Sequence, residues 1–202
     1  YFTRALSAIT ERIGQYLVSY RKVPFVEMYF NWGFMINSVS WIWVIYSFTG
    51  SMVVALVAGL LGNMLQVILH ELGHVVIGRW LGFKFSRIRL HLMGGTVDFN
   101  NSEKLSPGRD LGKAFAGPLV NIVLALLTFA IGWYFLAGFP ILLSIFNWFA
   151  IINAVAALQN LLPLHKSLDG AHMASDISDI LGKHPRINMV VRFLLWPAIG
   201  LL

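Results

Sequence analysis

The sequence predicts an all-α polytopic membrane protein with four to five transmembrane helices, and up to six in a longer chain. Two observations support this fold class. Hydrophobic residues make up 57% of the 202 residues and charged residues only 12%. In soluble proteins roughly half of the residues are apolar and roughly a quarter are charged. Lys and Arg are absent from two long stretches, residues 23–78 and 114–165. Each stretch is long enough to cross a bilayer twice at about 20 residues per helix.

The basic residues therefore fall into three blocks, and the formal net charge is +6. If each basic-free stretch is a helical hairpin, all three blocks lie on one side of the membrane, which the positive-inside rule makes the cytoplasm. This arrangement favours the lipid bilayer over nucleic acid as a partner. Cysteine is absent, which excludes a disulfide framework and thiolate metal ligands.

The chain is predicted to have three parts: an amphipathic segment at 1–22, a membrane-embedded core at 23–175, and a C-terminal segment at 176–202 that could begin a further transmembrane helix. Within the first part, apolar residues at 3–18 recur near helical spacing, which indicates a helix in the membrane interface or an exposed end of the first spanning helix. The apolar stretch 187–202 is short for a span and contains Arg192 and Pro197.

The core divides into two helical hairpins with a different segment between them. The first is predicted as helices near 30–48 and 52–81 around the turn "FTGS", and the second begins at "AFAGPLVN" and turns at Gly138-Phe139-Pro140. Between them, residues 83–113 have a different character: apolar and polar side chains partly alternate from Phe83 to Leu92, Gly94-Gly95 interrupts this pattern, and "TVDF" resumes it before "NNSEKLSPG" ends it. This pattern is typical of a small membrane-associated β-strand region after the long helix.

That long helix carries the motif "HELGH", His70 to His74. Positions i and i+4 share one helix face, so His70 and His74 can bind one metal ion, with Glu71 beside them to exchange a proton with water. The alternative is two histidines hydrogen-bonded inside a bundle. Ionisable residues within a spanning segment are costly and therefore indicate a functional site, which favours zinc, one ion per chain.

A catalytic zinc site needs a third protein ligand. The second hairpin returns to the cytoplasmic side at "NLLPLHKSLDG", where Asp169 is the favoured candidate and His165 and His172 are rivals. Three further acidic residues lie in the strand and loop region: Asp98, Glu103 and Asp110.

Four motifs in this order, "HELGH", "MGG", "AGPLVN" and "NLLPLHKSLDG", make residues 30–175 resemble the site-2 protease family of intramembrane zinc metalloproteases, in its form without a PDZ domain. The resemblance implies that Asp169 is the third zinc ligand. It also implies that Asn160 holds the substrate carbonyl or oxyanion. The strand around Met93, Gly94 and Gly95 is implied to pair with an unwound substrate, and an exposed strand edge is physically suited to that task.

The chain departs from the family pattern "NxxPxxPLDGG". Asp169 lies nine residues after Asn160 instead of eight, the second proline is missing, and Ala171 replaces the final glycine. These differences affect the loop before Asp169 and keep His165 as a candidate residue of the site.

The other polar and small residues of the spanning helices are predicted to serve helix packing. Asn121, Asn153 and Gln159 are expected to bond between helices, with Asn153 also a weak candidate for the site. Four glycines are expected at close helix contacts, Gly73, Gly78, Gly117 and Gly132, with Gly73 also leaving space near the metal. His91 and His184 are expected to be ordinary surface or interface residues.

The resemblance makes residues 23–175 an intramembrane metalloprotease core that hydrolyses a peptide bond in or near the transmembrane segment of another protein. Glu71 is the expected catalytic base and acid, and a single-span regulatory protein is the implied substrate. Two alternatives remain open: a catalytically silent scaffold or chaperone of the same fold, and a metal transporter. The intact Glu71 disfavours the scaffold, and the few ionisable groups in the outer halves of the hairpins disfavour the transporter.

Overall fold

The computed structural model describes residues 28–29, 32–91, 94–100, 106–163 and 168–181. Within these residues the order of elements is β1 (Met28–Tyr29), α1 (Trp32–Thr49), α2 (Met52–Trp80), β2 (Phe85–His91), β3 (Gly94–Phe99), α3 (Pro107–Phe135), α4 (Pro140–Leu161) and α5 (Asp169–Leu181). The predicted interfacial helix at 3–18 and the apolar segment at 187–202 lie outside the described residues.

Helices α1 and α2 form the predicted first hairpin, and their bounds match the prediction to within two residues. Gly50 makes the turn with φ +63°, a left-handed conformation that glycine adopts without steric cost. Ser51 then begins α2, because its Oγ accepts a hydrogen bond from the Val54 N–H at 3.3 Å.

The first part of α2 is π-helical from Ala55 to Gly62, which the sequence pattern does not predict. In this segment α1 and α2 approach at Gly59, where a β-carbon would lie 2.8 Å from the backbone nitrogen of Ile42. A buried cluster joins α1, α2 and α4 here and consists of Ile45, Val54, Ala55, Ala58 and Ile152. A π-turn changes the angular spacing of side chains, so it affects which face the following residues present to the bundle.

The second hairpin consists of α3 and α4, connected at the predicted Gly138–Pro140 turn. Helix α3 begins at Pro107 and not near Ala114, so the predicted start of the second hairpin at "AFAGPLVN" is too late in the chain. Proline is favoured in the first turn of a helix, where its missing N–H costs nothing. The Ser106 carbonyl accepts hydrogen bonds from Arg109 and Asp110, which starts the helix there.

The predicted strand region forms β2 and β3, which together with β1 make a three-stranded sheet in the order β1-β2-β3. Strand β1 is parallel to β2, and β2 is antiparallel to β3, with Ile88 opposite Val97. Ile88 packs against Val67 and Val75 of α2 in a second buried cluster. Because β3 pairs only with β2 among the described strands, its other edge is available.

Three helices of the described part are long and apolar enough to cross a membrane, namely α2, α3 and α4. Large apolar side chains on their outer faces are exposed, as in Trp133 and Tyr134 of α3 and Leu158 of α4. Such exposure suits contact with lipid. The chain is therefore a mostly helical integral membrane protein, and the count of four to five spanning helices stays a prediction.

Candidate metal centre

The two histidines of α2 lie on its buried face, one helical turn apart. His70 is 5% exposed and His74 is 7% exposed. Their Nε2 atoms are 3.2 Å apart, and the rings meet edge to face. The i, i+4 spacing therefore brings both imidazoles to one point, as predicted.

Asp169 reaches the same point from the first residue of α5. Its Oδ2 lies 3.1 Å from His70 Nε2, and its Oδ1 lies 3.3 Å from His74 Nε2. Burial raises the pKa of the Asp169 carboxyl, but its hydrogen bonds and attraction to the two rings outweigh burial and hold this pKa below its usual value.

Gly170 explains how α5 brings Asp169 into this position. A β-carbon at residue 170 would lie 2.5 Å from the Leu161 carbonyl oxygen. The start of α5 therefore packs directly on the end of α4, and a larger residue at 170 would separate them. This contact is a physical reason for glycine after Asp169 in the "LDG" motif.

His70, His74 and Asp169 each offer one ligand atom, and these atoms all lie within 4.8 Å of one another. Two imidazole nitrogens and a carboxylate oxygen are a donor set that suits zinc. The space around them is preserved by Gly117 of α3, where a β-carbon would collide with the Nε2 atoms of both histidines. The three side chains therefore fit a metal ion.

The competing candidates for the third ligand are not part of this cluster. His172 is exposed, and it lines a cavity that also borders His70, His74 and Asp169. Asp98 forms ion pairs with Arg87 and Arg89, and Asp110 forms one with Lys113 at 3.0 Å. Glu103 and His165 lie outside the described residues.

Each histidine also has a partner on its Nδ1 atom. His74 Nδ1 lies 2.8 Å from the Lys113 carbonyl oxygen, a contact made possible by the early start of α3. His70 Nδ1 lies 3.0 Å from Nδ2 of Asn121, and Asn121 Oδ1 lies 3.4 Å from Nε2 of Gln66. Contacts of this kind orient the imidazoles of metal sites.

Asn121 is thus more than the predicted link between helices, because the histidine that it contacts belongs to the candidate metal site. A signal for this role was present in the sequence. Gly117 and Asn121 are four residues apart on α3 and therefore share the face that meets His70. The motif "AGPLVN" contains both residues.

The other expectations for packing residues have mixed outcomes. Gly73 lies against the Ala116 carbonyl and Gly132 against α4, as predicted for helix contacts, but Gly78 lies against the Phe99 ring of β3. The glycine that leaves space at the two histidines is Gly117, not Gly73.

Asn153 donates to the Phe149 carbonyl of its own helix, and its buried Oδ1 has no partner. Gln159 lines the cavity.

Glu71 is 3% exposed and lies beside the cluster under β3. A β-carbon at Gly95 would be 2.5 Å from Glu71 Oε1. The backbone of β3 therefore passes directly over the carboxyl group, and only glycine allows this approach. Glu71 is placed to exchange a proton with a molecule held between β3 and the cluster.

A cavity of about 540 Å³ connects these parts. It is lined by the cluster and Glu71, by Gly95 and Val97 of β3, and by Asn160 of α4. Asn160 Nδ2 donates to the Ala156 carbonyl of its own helix at 3.1 Å. Of the predicted substrate-binding residues, Asn160 and Gly95 therefore lie at the cavity, Gly94 is the first residue of β3, and Met93 lies outside the described residues.

Parts of the chain are similar to known proteins. The model of peptidase family M50 matches residues 58–143. Rip3 of Mycobacterium tuberculosis, provisionally named a zinc metalloprotease, is 33% identical over 111 residues, which are 54% of this chain and 28% of that protein. Zinc metalloprotease MJ0392 of Methanocaldococcus jannaschii is 28% identical over 101 residues, 48% of this chain and 28% of that protein.

The match therefore spans just over a quarter of the length of these relatives. Among solved structures, the site-2 protease from Methanocaldococcus jannaschii superposes with a TM-score of 0.59 at 23% identity, covering 83% of this chain and 72% of that one. That likeness shows a shared fold. The region that matches the model of peptidase family M50 thus includes the "HELGH" helix, and the relatives that match about half of this chain are named as zinc metalloproteases.

Proposed function

We propose that this chain is a zinc metalloprotease that hydrolyses a peptide bond in or near the transmembrane segment of a membrane protein. One observation carries the proposal: His70, His74 and Asp169 converge next to Glu71, beneath the edge of β3. Both histidines and Glu71 belong to α2, a helix long and apolar enough to span a membrane. The relatives named as zinc metalloproteases support the same activity.

In this proposal His70 and His74 bind one zinc ion through Nε2, and Asp169 binds it through a carboxylate oxygen. A zinc ion bound there supplies a Lewis acid, which polarises a substrate carbonyl and lowers the pKa of water. The side chain of Glu71 takes the proton from the attacking water. It then donates that proton to the amine nitrogen that leaves when the peptide bond breaks.

The substrate is proposed to bind along β3. A helical substrate segment must lose its internal hydrogen bonds before its backbone can be hydrolysed, and in a membrane those bonds have to be replaced. The available edge of β3 can replace them by strand addition. Gly95 keeps this edge close to Glu71, and Gly94 and Met93 are proposed to extend it. The side chain of Asn160 is proposed to steady the substrate carbonyl from the opposite wall.

The active site is proposed to lie near the cytoplasmic side of the membrane. Arg79, in the last turn of α2, lies only five residues beyond His74, and basic residues mark the cytoplasmic ends of spanning helices. A single-span regulatory protein is the proposed substrate, and its cleavage would be a step of regulated intramembrane proteolysis.

The proposal is tested by expressing the chain with a panel of single-span membrane proteins and comparing it with Glu71→Gln. The variant keeps the shape of the side chain but removes its ability to take a proton. We expect cleavage by the parent chain, none by the variant, and equal zinc content in both. Cleavage by Glu71→Gln would overturn the mechanism. Full zinc content in Asp169→Ala would show that the third ligand is a different residue, with His165 and His172 as the next to test.

A further inference from the structure

Asn121 is the side chain that connects the candidate metal site to the interior of the helix bundle. It is fully buried, and Gln66, its partner in α2, is 5% exposed. Asn121 Nδ2 lies 3.0 Å from His70 Nδ1, while Asn121 Oδ1 lies 3.4 Å from Gln66 Nε2. Three polar side chains from two spanning helices thus form one chain of contacts that ends at a ligand.

The two histidines differ in what lies on their Nδ1 atoms. His74 Nδ1 faces the Lys113 carbonyl oxygen at 2.8 Å. A carbonyl can only accept, so His74 carries its proton on Nδ1 and keeps the Nε2 lone pair for a metal. The backbone of α3 therefore fixes the metal-binding tautomer of His74.

His70 faces an amide in place of a carbonyl. With Asn121 Nδ2 toward it, His70 Nδ1 accepts and Nε2 carries the proton, which it can donate to Asp169 Oδ2 at 3.1 Å. That tautomer has no lone pair on Nε2. Binding of a metal through Nε2 requires the proton on Nδ1 and therefore an acceptor in the place of Asn121 Nδ2.

We propose that Asn121 is a positioning residue that sets the metal-binding tautomer of His70, by turning its amide so that Oδ1 accepts from Nδ1–H. The turned amide directs Nδ2 toward Gln66, whose own amide turns to accept through Oε1. The amide of Asn or Gln can present either end to the same partner, so the two rotations preserve the contacts of Asn121 with His70 and with Gln66. The inference rests on the proposed metal site and not on proteolysis.

The test is the zinc affinity of the purified full chain in detergent, measured by competition with a chelator of known affinity. Asn121→Asp can accept from His70 Nδ1–H and from Gln66 Nε2–H, so we expect affinity close to that of the parent chain. Asn121→Leu removes the acceptor, and we expect affinity about 10- to 100-fold weaker, the usual effect of losing a hydrogen-bond partner of a metal ligand. Asn153→Leu is the matched control, since Asn153 is an equally buried asparagine of a spanning helix that bonds within its own helix.

Each outcome decides the proposal. Weak binding by Asn121→Asp, or parental binding by Asn121→Leu, would overturn it, and if Asn121→Leu fails to fold, the Asp variant decides alone. A parent chain that takes up no zinc would overturn the metal site and this inference with it. A zinc-loaded parent with unchanged variants would overturn the inference only.

A second pair of variants tests the role of Gln66. We expect Gln66→Glu to bind zinc more tightly than Gln66→Leu, because Glu keeps an acceptor for Asn121 Nδ2. Equal affinities would overturn the part of the proposal that concerns Gln66.

Discussion

Gly95 of β3 lies so close to Glu71 of α2 that a β-carbon at residue 95 would be 2.5 Å from the Glu71 Oε1 atom. The strand and the acidic side chain therefore form one surface, and a peptide added to the edge of β3 would lie against the carboxyl group. This contact links the proposed substrate-binding edge to the proposed proton-transfer residue.

Gly95→Ala should therefore abolish cleavage while leaving zinc bound. The added methyl group displaces Glu71 or lifts β3 from it, since the three atoms nearest to it all belong to Glu71 and to none of the proposed ligands. Zinc content and cleavage of a co-expressed substrate are measured on the same preparations. Gly138→Ala is the control, because nothing lies within 4 Å of a β-carbon there. Parental activity in Gly95→Ala would show that the strand does not need to approach Glu71 this closely.

Gly117→Ala should lose zinc. A β-carbon at residue 117 collides with the Nε2 atoms of His70 and His74, so the imidazoles can no longer converge. Zinc is measured in the purified chain by elemental analysis. Gly108→Ala, on the same helix with open space around it, should keep a full complement. Normal zinc content in Gly117→Ala would mean that the histidines bind a metal in a different arrangement.

Gly170→Ala should weaken zinc binding although all three proposed ligands are intact. Its β-carbon would lie 2.5 Å from the Leu161 carbonyl oxygen, so α5 has to move away from α4 and take Asp169 with it. Overpacking of this kind costs about 1–3 kcal/mol of stability. The measurement is zinc affinity together with the thermal midpoint of unfolding. A drop in stability with unchanged zinc affinity would contradict the role given to Gly170.

Asp176 should make the stability of the chain depend on pH. Burial, with repulsion from Asp110 and Asp179 and opposed by Lys113, raises the pKa of Asp176 to about 6. The folded state therefore binds the proton of Asp176 more tightly than the unfolded chain does. The resulting contribution to the free energy of unfolding is complete below the unfolded pKa of about 4 and is lost as the pH rises through about 6.

Asp176→Asn should accordingly melt at a higher temperature than the parent chain at pH 8, because the variant carries no charge beside Asp110. At pH 4 both side chains are neutral, and the two midpoints should coincide. Thermal unfolding in detergent between pH 4 and pH 8 measures the difference. An offset that stays constant over this range would show that ionisation of Asp176 is not its cause.

Much of the fold could be predicted because its signals are local. The helices of the first hairpin, the strand region and the Gly138–Pro140 turn follow from hydropathy, alternation and turn residues along the chain. The start of α3 at Pro107 was missed because a polar stretch masked the Ser-Pro signal. The π-helical part of α2 and the pairing of the two-residue β1 left no pattern from which to predict them.

The sequence by itself determined that the chain is a membrane protein and that His70, Glu71 and His74 share one helix turn within the bilayer. It also favoured Asp169 over its rivals. Only the tertiary structure decided that Asn121 contacts His70, that Gly117 and not Gly73 leaves space for the cluster, and that β3 covers Glu71. The physical reason is that spacing within a helix is fixed by its hydrogen bonds, whereas contacts between elements depend on how each helix is rotated and how closely its neighbours approach.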